Sequence, residues 1–446
     1  MYSPGSDKYS SNININNEFM EQISPTNNTI DEEPELNTEA ELSDAELGKK
    51  FFRKIGTGST INSTISFFAF SPIIMLFLSS NIFKAMGIIP GIISIGIFIL
   101  ASYLSLCMLL RLIVEKKFRT FFQTLIGFVD KKFKYFFIAF YLQFYFGYLV
   151  INVKLCDDIA SSFFPEPSLL KLVIIVPCMV LQICLSLLKD IKYTRVIKFI
   201  QIFIVIIGTL VYSIVDYSIG TKKNFESNYL AKVPSWSYFF SFSIINILLF
   251  NHLNLFQESR NLKGFSKKRG LSLLIYTLSS QLIIFLLLGL VGFFLFYNSQ
   301  EDTFFFLRTQ EENTILDILF KSLFLLVFLT EASISIIQII EGITFSFQKN
   351  QIDKKLYIVI SFFSSFFSNL FGYFIINQTI YLEIIISFIG GICSTVIEYI
   401  IPSLVYLTLM EKKMISKNKI LIYILMIGMS VIGIASTVGG IYYSTL

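Results

Sequence analysis

Between Phe67 and Tyr443 the chain reads as about eleven apolar runs, each near the ~20 residues that cross a bilayer as a helix. No other feature constrains the fold as strongly. Backbone polar groups in lipid must be satisfied within the protein, and a helix does this inside each run. The expected class is therefore an all-α polytopic membrane protein. The spans are placed at 62–83, 88–113, 134–156, 169–188, 194–216, 237–256, 271–297, 314–340, 355–376, 382–409 and 419–441.

Composition agrees. Hydrophobic residues make up 54% of the chain and charged residues 15%, with a mean hydropathy of +0.68. Soluble domains carry about 25% charged residues, so most of the surface here faces lipid. At 446 residues the length would suit about three soluble domains. The even spread of apolar runs points instead to one bundle. The net charge of +5 sits mainly in short loops, where it reports topology rather than a nucleic-acid partner. Cys107, Cys156, Cys178, Cys184 and Cys393 lie within or beside apolar runs without CxxC or Cys/His spacing, so no disulfide framework and no metal site is expected. The 49 Phe fit a codon bias and are not evidence of aromatic binding boxes.

Residues 1–54 read as a disordered acidic cytoplasmic tail ending in the basic segment Lys49–Lys54, and 55–446 as the transmembrane domain. No apolar h-region follows a basic start, so the tail is not read as a signal peptide. Gly56-Thr-Gly-Ser59 reads as a membrane-entry turn. The loops alternate in charge. One set holds Lys116, Lys117, Arg119, Lys131, Lys132 and Lys134, then Lys189, Lys192 and Arg195, then Arg260, Lys263, Lys267, Lys268 and Arg269. It ends with Lys349, Lys354 and Lys355, then Lys412, Lys413 and Lys417. The other set holds Asp157, Asp158, Glu166, Glu301, Asp302, Glu311 and Glu312, plus one mixed loop with Lys222, Lys223 and Lys232. Basic loops stay in the cytoplasm, so the N-terminus is expected inside and the C-terminus outside, in a plasma, vacuolar or lysosomal membrane.

Three stretches are specific. The sixth span closes in Phe250-Asn-His-Leu-Asn-Leu-Phe-Gln-Glu-Ser-Arg-Asn261, before a basic turn and a seventh span ending Leu288-Gly-Leu-Val-Gly-Phe-Phe-Leu-Phe296. The tenth reads Phe388-Ile-Gly-Gly-Ile-Cys-Ser-Thr-Val-Ile-Glu-Tyr-Ile-Ile-Pro-Ser-Leu-Val-Tyr-Leu407. Phe83-Lys-Ala-Met-Gly-Ile-Ile-Pro-Gly91 leads to Ser102-Tyr-Leu-Ser-Leu-Cys107. Together these resemble the amino acid/auxin permease family, in its order and at its spacing, from about Phe83 to Leu407.

The resemblance implies a LeuT-type fold: spans 1–5 and 6–10 as inverted repeats around a midplane site, with an eleventh helix added. Helices 1 and 6 are broken in such folds, and a half-helix N-terminus favours an α-carboxylate. The family's Gly-x-Gly in the first span is missing. Ile73-Ile-Met-Leu-Phe-Leu-Ser-Ser80 stands in its place, and Ser71-Pro72 before it supplies either a break or a plain kink. Candidate substrate-binding residues are Ser71, Pro72, Ser79, Ser80, Asn246, Asn251 and His252. His252, the only histidine, either lines the transport path or serves structural hydrogen bonding.

Glu331 and Glu398 are the intramembrane carboxylates, as proton carriers or as neutral acids bonded between helices. Glu258 and Arg260 form a candidate gate pair, although topology alone explains the arginine. Where sodium-coupled relatives use Thr and Asn, this chain has Ile337 and Ala69, which disfavours Na+ and leaves H+ or no coupling ion. No GxxxxGK[ST] loop and no catalytic constellation is present, which sets aside primary transport and enzymatic chemistry.

The expected function is secondary transport of amino acids by alternating access, without a cofactor. The partners are the substrate, the bilayer and a cytoplasmic ligand of the tail. A transporter-shaped nutrient sensor or scaffold with a degenerate site is the alternative.

Overall fold

The computed structural model describes residues 60, 63–64, 73–118, 120–126, 131–163, 170–187, 207, 230–262, 264–296, 315–346, 353–375, 379–410 and 416–445. The tail, Ser71, Pro72 and, apart from Ile207, the fifth expected span lie outside them.

In chain order the helices are α1 (Ile73–Met86), α2 (Ile88–Lys116), α3 (Phe121–Ile126), α4 (Lys131–Phe163) and α5 (Leu170–Leu187). The sixth span is split into α6 (Trp236–Leu248) and α7 (His252–Asn261). There follow α8 (Lys267–Phe296), α9 (Ile315–Ser346) and α10 (Lys354–Ile375). The tenth span runs from α11 (Thr379–Phe388) through two π-helical stretches, Ile389–Cys393 and Val396–Ile400, into α12 (Ile401–Met410). Last comes α13 (Ser416–Thr445). Among the described residues eight helices are long and apolar enough to cross a membrane, and α5 carries a shorter apolar stretch, Val176–Leu187.

Several helices outrun their expected spans. For example, α4 covers 131–163 where 134–156 was expected. Hydropathy marks the hydrocarbon layer alone, whereas a tilted helix keeps its hydrogen bonds into the polar ends.

The long helices expose apolar stripes, and inside the bundle small and polar side chains stand among large apolar ones. On α2, Ile89, Ile93, Ile97 and Leu100 form an exposed stripe at helical spacing, while Gly91, Ile95, Phe98, Ser102 and Ser105 are buried. Lipid removes the hydrophobic drive between helices, so small and hydrogen-bonding side chains mark the interfaces. The contact between α5 and α10 follows this rule. Gln182 Oε1 accepts from Ser365 Oγ at 2.9 Å and Asn369 Nδ2 at 3.3 Å, and Tyr357 Oη donates to the Ser186 carbonyl at 2.6 Å. Phe362, Phe363, Phe366 and Phe367 are exposed on the opposite face of α10.

Within the bundle α4 packs on α9, α1 on α8 and α6, and α13 on α6 and the tenth span. The turn between α1 and α2 is a single residue, Gly87, at φ +87°. Its lack of a Cβ serves twice. It reaches a backbone region costly for other residues, and it lets Ala231 approach to where a Cβ would stand 2.8 Å from that residue's Cα. The passing segment clasps the turn, with Ile89 N–H donating to Leu230 O and Lys232 N–H to Met86 O, each at 3.0 Å.

Candidate functional site

The sixth span is interrupted at Leu249–Asn251, among buried residues. No Gly or Pro lies in it, so neighbours must hold it open. Phe250 stacks on Phe144 of α4 with ring centroids 3.9 Å apart, and Asn251 Nδ2 donates to Gln281 Oε1 of α8 at 2.9 Å. Asn251 has the non-helical angles of a residue preceding a helix (φ −125°, ψ −2°), and its carbonyl accepts from the N–H groups of Asn254 and Leu255 at 3.1 and 3.3 Å. Two helix ends therefore meet inside the bundle, where end groups lack intrahelical partners and the start of α7 carries partial positive charge. Asn246, Asn251 and His252 are all completely buried.

The tenth span faces this break with its π-helical turns, a winding that recurs at functional sites. Ser394 Oγ donates to Glu398 Oε1 at 2.5 Å. The second carboxylate oxygen, Oε2, lies 3.6 Å from His252 Nδ1, and neither side chain has any solvent exposure. Among the described residues that oxygen and both imidazole nitrogens have no hydrogen-bond partner. The Glu398 carbonyl accepts from Ser105 Oγ of α2. The Tyr399 ring stands edge-on to His252 with centroids 6.1 Å apart.

Asn246 has another task. Its Nδ2 donates to Gly390 O at 3.0 Å and Thr395 Oγ1 at 3.2 Å, and its Oδ1 accepts from Tyr399 Oη at 3.4 Å. It ties α6 to the tenth span and sets the height at which Glu398 meets His252. Glycine makes this approach feasible. A Cβ on Gly390 would stand 2.8 Å from the Ser243 carbonyl carbon, and one on Gly391 would stand 2.8 Å from the Gly433 carbonyl oxygen.

The other expected residues are placed as follows. Glu331 is buried on α9 and faces Tyr145 and Tyr148 of α4. The Tyr145 ring also reaches Phe250 at 6.1 Å, so one aromatic residue links Glu331 to the break. The stretch 73–80, which stands where the family has its glycines, is helical. It contains neither Gly nor Pro, and its apolar side chains favour continuous helix once packed. Ser79 is buried there against Gly289 of α8, and Ser80 is half-buried.

Glu258 and Arg260 both lie on α7. They stand two apart on α7, one buried and the other exposed, a spacing that turns side chains to different sides of a helix. Arg260 is within electrostatic reach of Glu341 on α9. Sequence reasoning missed Ser105, Gln281 and Tyr399, which belong to the site through packing alone. Ser394 could have been found, because its i,i+4 spacing puts it on one helix face with Glu398.

Among the described residues no group of three His, Cys, Asp or Glu side chains could hold a metal ion. A family model described as transmembrane amino acid transporter protein matches residues 58–446. No curated protein sequence matches the chain. Among solved structures the chain is similar to MHP1, a nucleobase-cation-symport-1 family transporter in a closed conformation with bromovinylhydantoin bound. That match has 9% identity and a TM-score of 0.52, and it covers 88% of this chain and 92% of the other. A Na+-coupled sialic acid symporter in a substrate-bound outward-open state matches at 13% identity and a TM-score of 0.51, over 89% of this chain and 92% of the other. At such identities the likeness concerns the fold, which is the LeuT-type arrangement of inverted repeats with an added helix.

Proposed function

The chain belongs to the transmembrane amino acid transporter family, and from that premise we propose that it carries amino acids around the break in its sixth span, with protons as the coupling ion. It is a multi-pass membrane transporter and not an enzyme. In this fold a buried site between two repeats is opened to one side and then the other by rocking them. The observation that carries the reading is the break itself. Leu249–Asn251 separates two helices within one span, so that two helix ends are presented there.

In this reading the substrate lies between the break and the first span, its carboxylate toward the N-terminal part of that span, where Ser71 and Pro72 stand in the sequence. Asn251 and His252 contribute side chains. Ser79 and Ser80 stand one to two turns further along α1, and Asn246 positions the tenth span. Glu398 and Glu331 are the proton carriers, because a buried carboxyl exchanges between neutral and charged forms only when water reaches it. Arg260 with Glu258 marks the end of the sixth span that gates access. Sodium is disfavoured by Ile337 in the eighth span.

The basic loops favour a cytoplasmic N-terminus, with residues 1–54 as the segment for a cytoplasmic partner. The membrane is a plasma, vacuolar or lysosomal one.

Proteoliposomes test the coupling. Accumulation of labelled amino acids should follow a pH gradient and ignore a sodium gradient. Glu331→Gln and Glu398→Gln should each remove pH-driven accumulation while leaving exchange intact. Unchanged accumulation in one variant removes that carboxyl from the proton path. The absence of flux under every gradient would leave the sensor or scaffold reading in its place.

A further inference from the structure

We infer that His252 and Glu398 form a single proton-binding site, a buried dyad that holds one shared proton. The inference rests on the transport reading only for its consequence, not for its chemistry. His252 Nδ1 and Glu398 Oε2 are 3.6 Å apart, both side chains are completely buried, and among the described residues neither of these two atoms has a hydrogen-bond partner. The separation is longer than a hydrogen bond, so a shift of under an ångström brings the two atoms into bonding distance.

Burial dictates the proton count. An isolated charge in such surroundings is costly, whereas a neutral pair or a contact ion pair is tolerated. With one proton the dyad is either neutral imidazole beside carboxylic acid or imidazolium beside carboxylate, both of zero net charge. A second proton leaves an uncompensated imidazolium, and removal of the first leaves an uncompensated carboxylate. The two groups therefore titrate as one unit.

The surroundings add no competing charge. From the same span Glu398 meets Ser394 and Tyr399, and from α2 it meets Ser105 through its backbone carbonyl. Asn246 of α6 is occupied by the tenth span and Tyr399. From α4 and α13, which also pack against this part of the span, no titratable or charged group among the described residues interacts with either member. The consequence is a coupling rule. The proton count of the dyad is fixed while the site is closed and changes only when one side of the membrane reaches it.

The chain has one histidine, so its imidazole can be read without assignment. The full-length protein, purified through a tag free of histidine and labelled with [15N]histidine, would be studied by NMR in lipid nanodiscs across pH. Glu398→Gln should change the protonation and tautomer signature of His252, while Glu331→Gln should leave it as in the wild type. Should Glu398→Gln not fold, Ser394→Ala is the second variant. It frees Glu398 Oε1 and should also shift the imidazole signal. An imidazole signature indifferent to these changes over the whole pH range overturns the dyad. Failure of pH-driven uptake in the wild type, with the signature still dependent on Glu398, counts against proton-coupled transport and not against the shared proton.

Discussion

At the scale of single residues, the tenth span can pass beside the sixth because Gly390 and Gly391 have no side chains to fill the gap. A methyl group on Gly390 would meet the Ser243 backbone, which cannot move aside as a flexible side chain can. Gly390→Ala should therefore cost about 1–3 kcal/mol, the range for overpacking a tight contact. Thermal unfolding in detergent would read this, and an unchanged midpoint would show that the helices are less close than described. Both glycines and the Ser394–Glu398 spacing stand in the sequence as a motif. The partners that give the motif meaning, Asn246 and His252, lie some 140 residues earlier and are joined to it by packing. A linear pattern can reveal an intramembrane carboxyl, but not what stands 3.6 Å from it.

At the scale of elements, the contrast between the first and sixth spans is instructive. The first lacks the glycines its family carries and is helical over 73–80, whereas the sixth breaks without a glycine because Phe250 and Asn251 are anchored on α4 and α8. Resemblance pointed to a broken sixth helix, while hydropathy placed one continuous span at 237–256. The periodic signal does not register a three-residue interruption whose side chains stay apolar or buried. The π-helical turns were invisible for the same reason.

The α5–α10 contact offers a second test at this scale. Gln182→Leu leaves Ser365 and Asn369 without their shared acceptor. The loss should be about 1 kcal/mol, in keeping with interhelical hydrogen bonds in membranes. A stability equal to wild type in a detergent or nanodisc melt would mean that packing alone holds these helices together.

At the scale of the whole molecule, the apolar runs and alternating loops made a membrane bundle legible, and three motifs in register identified its plan. The site was legible only in part. Glu398 and His252 could be singled out as costly residues in lipid, but their pairing depends on π-helical winding in one span and a break in another. Glu258 and Arg260 stand two apart on one helix, one buried and one exposed, a relation that their closeness in sequence does not reveal. What unites these observations is a polar centre, closed on all described sides, that must be opened to exchange a substrate or a proton. The most direct measurement is counterflow: proteoliposomes of the purified full-length chain, loaded with a mixture of unlabelled amino acids and exposed to labelled ones at equal pH. Time-dependent exchange of label well above protein-free liposomes is expected, since exchange needs alternating access but no net driving force. Label entry no faster than in protein-free liposomes, from protein verified as folded, would contradict the claim that the break in the sixth span is a transport site.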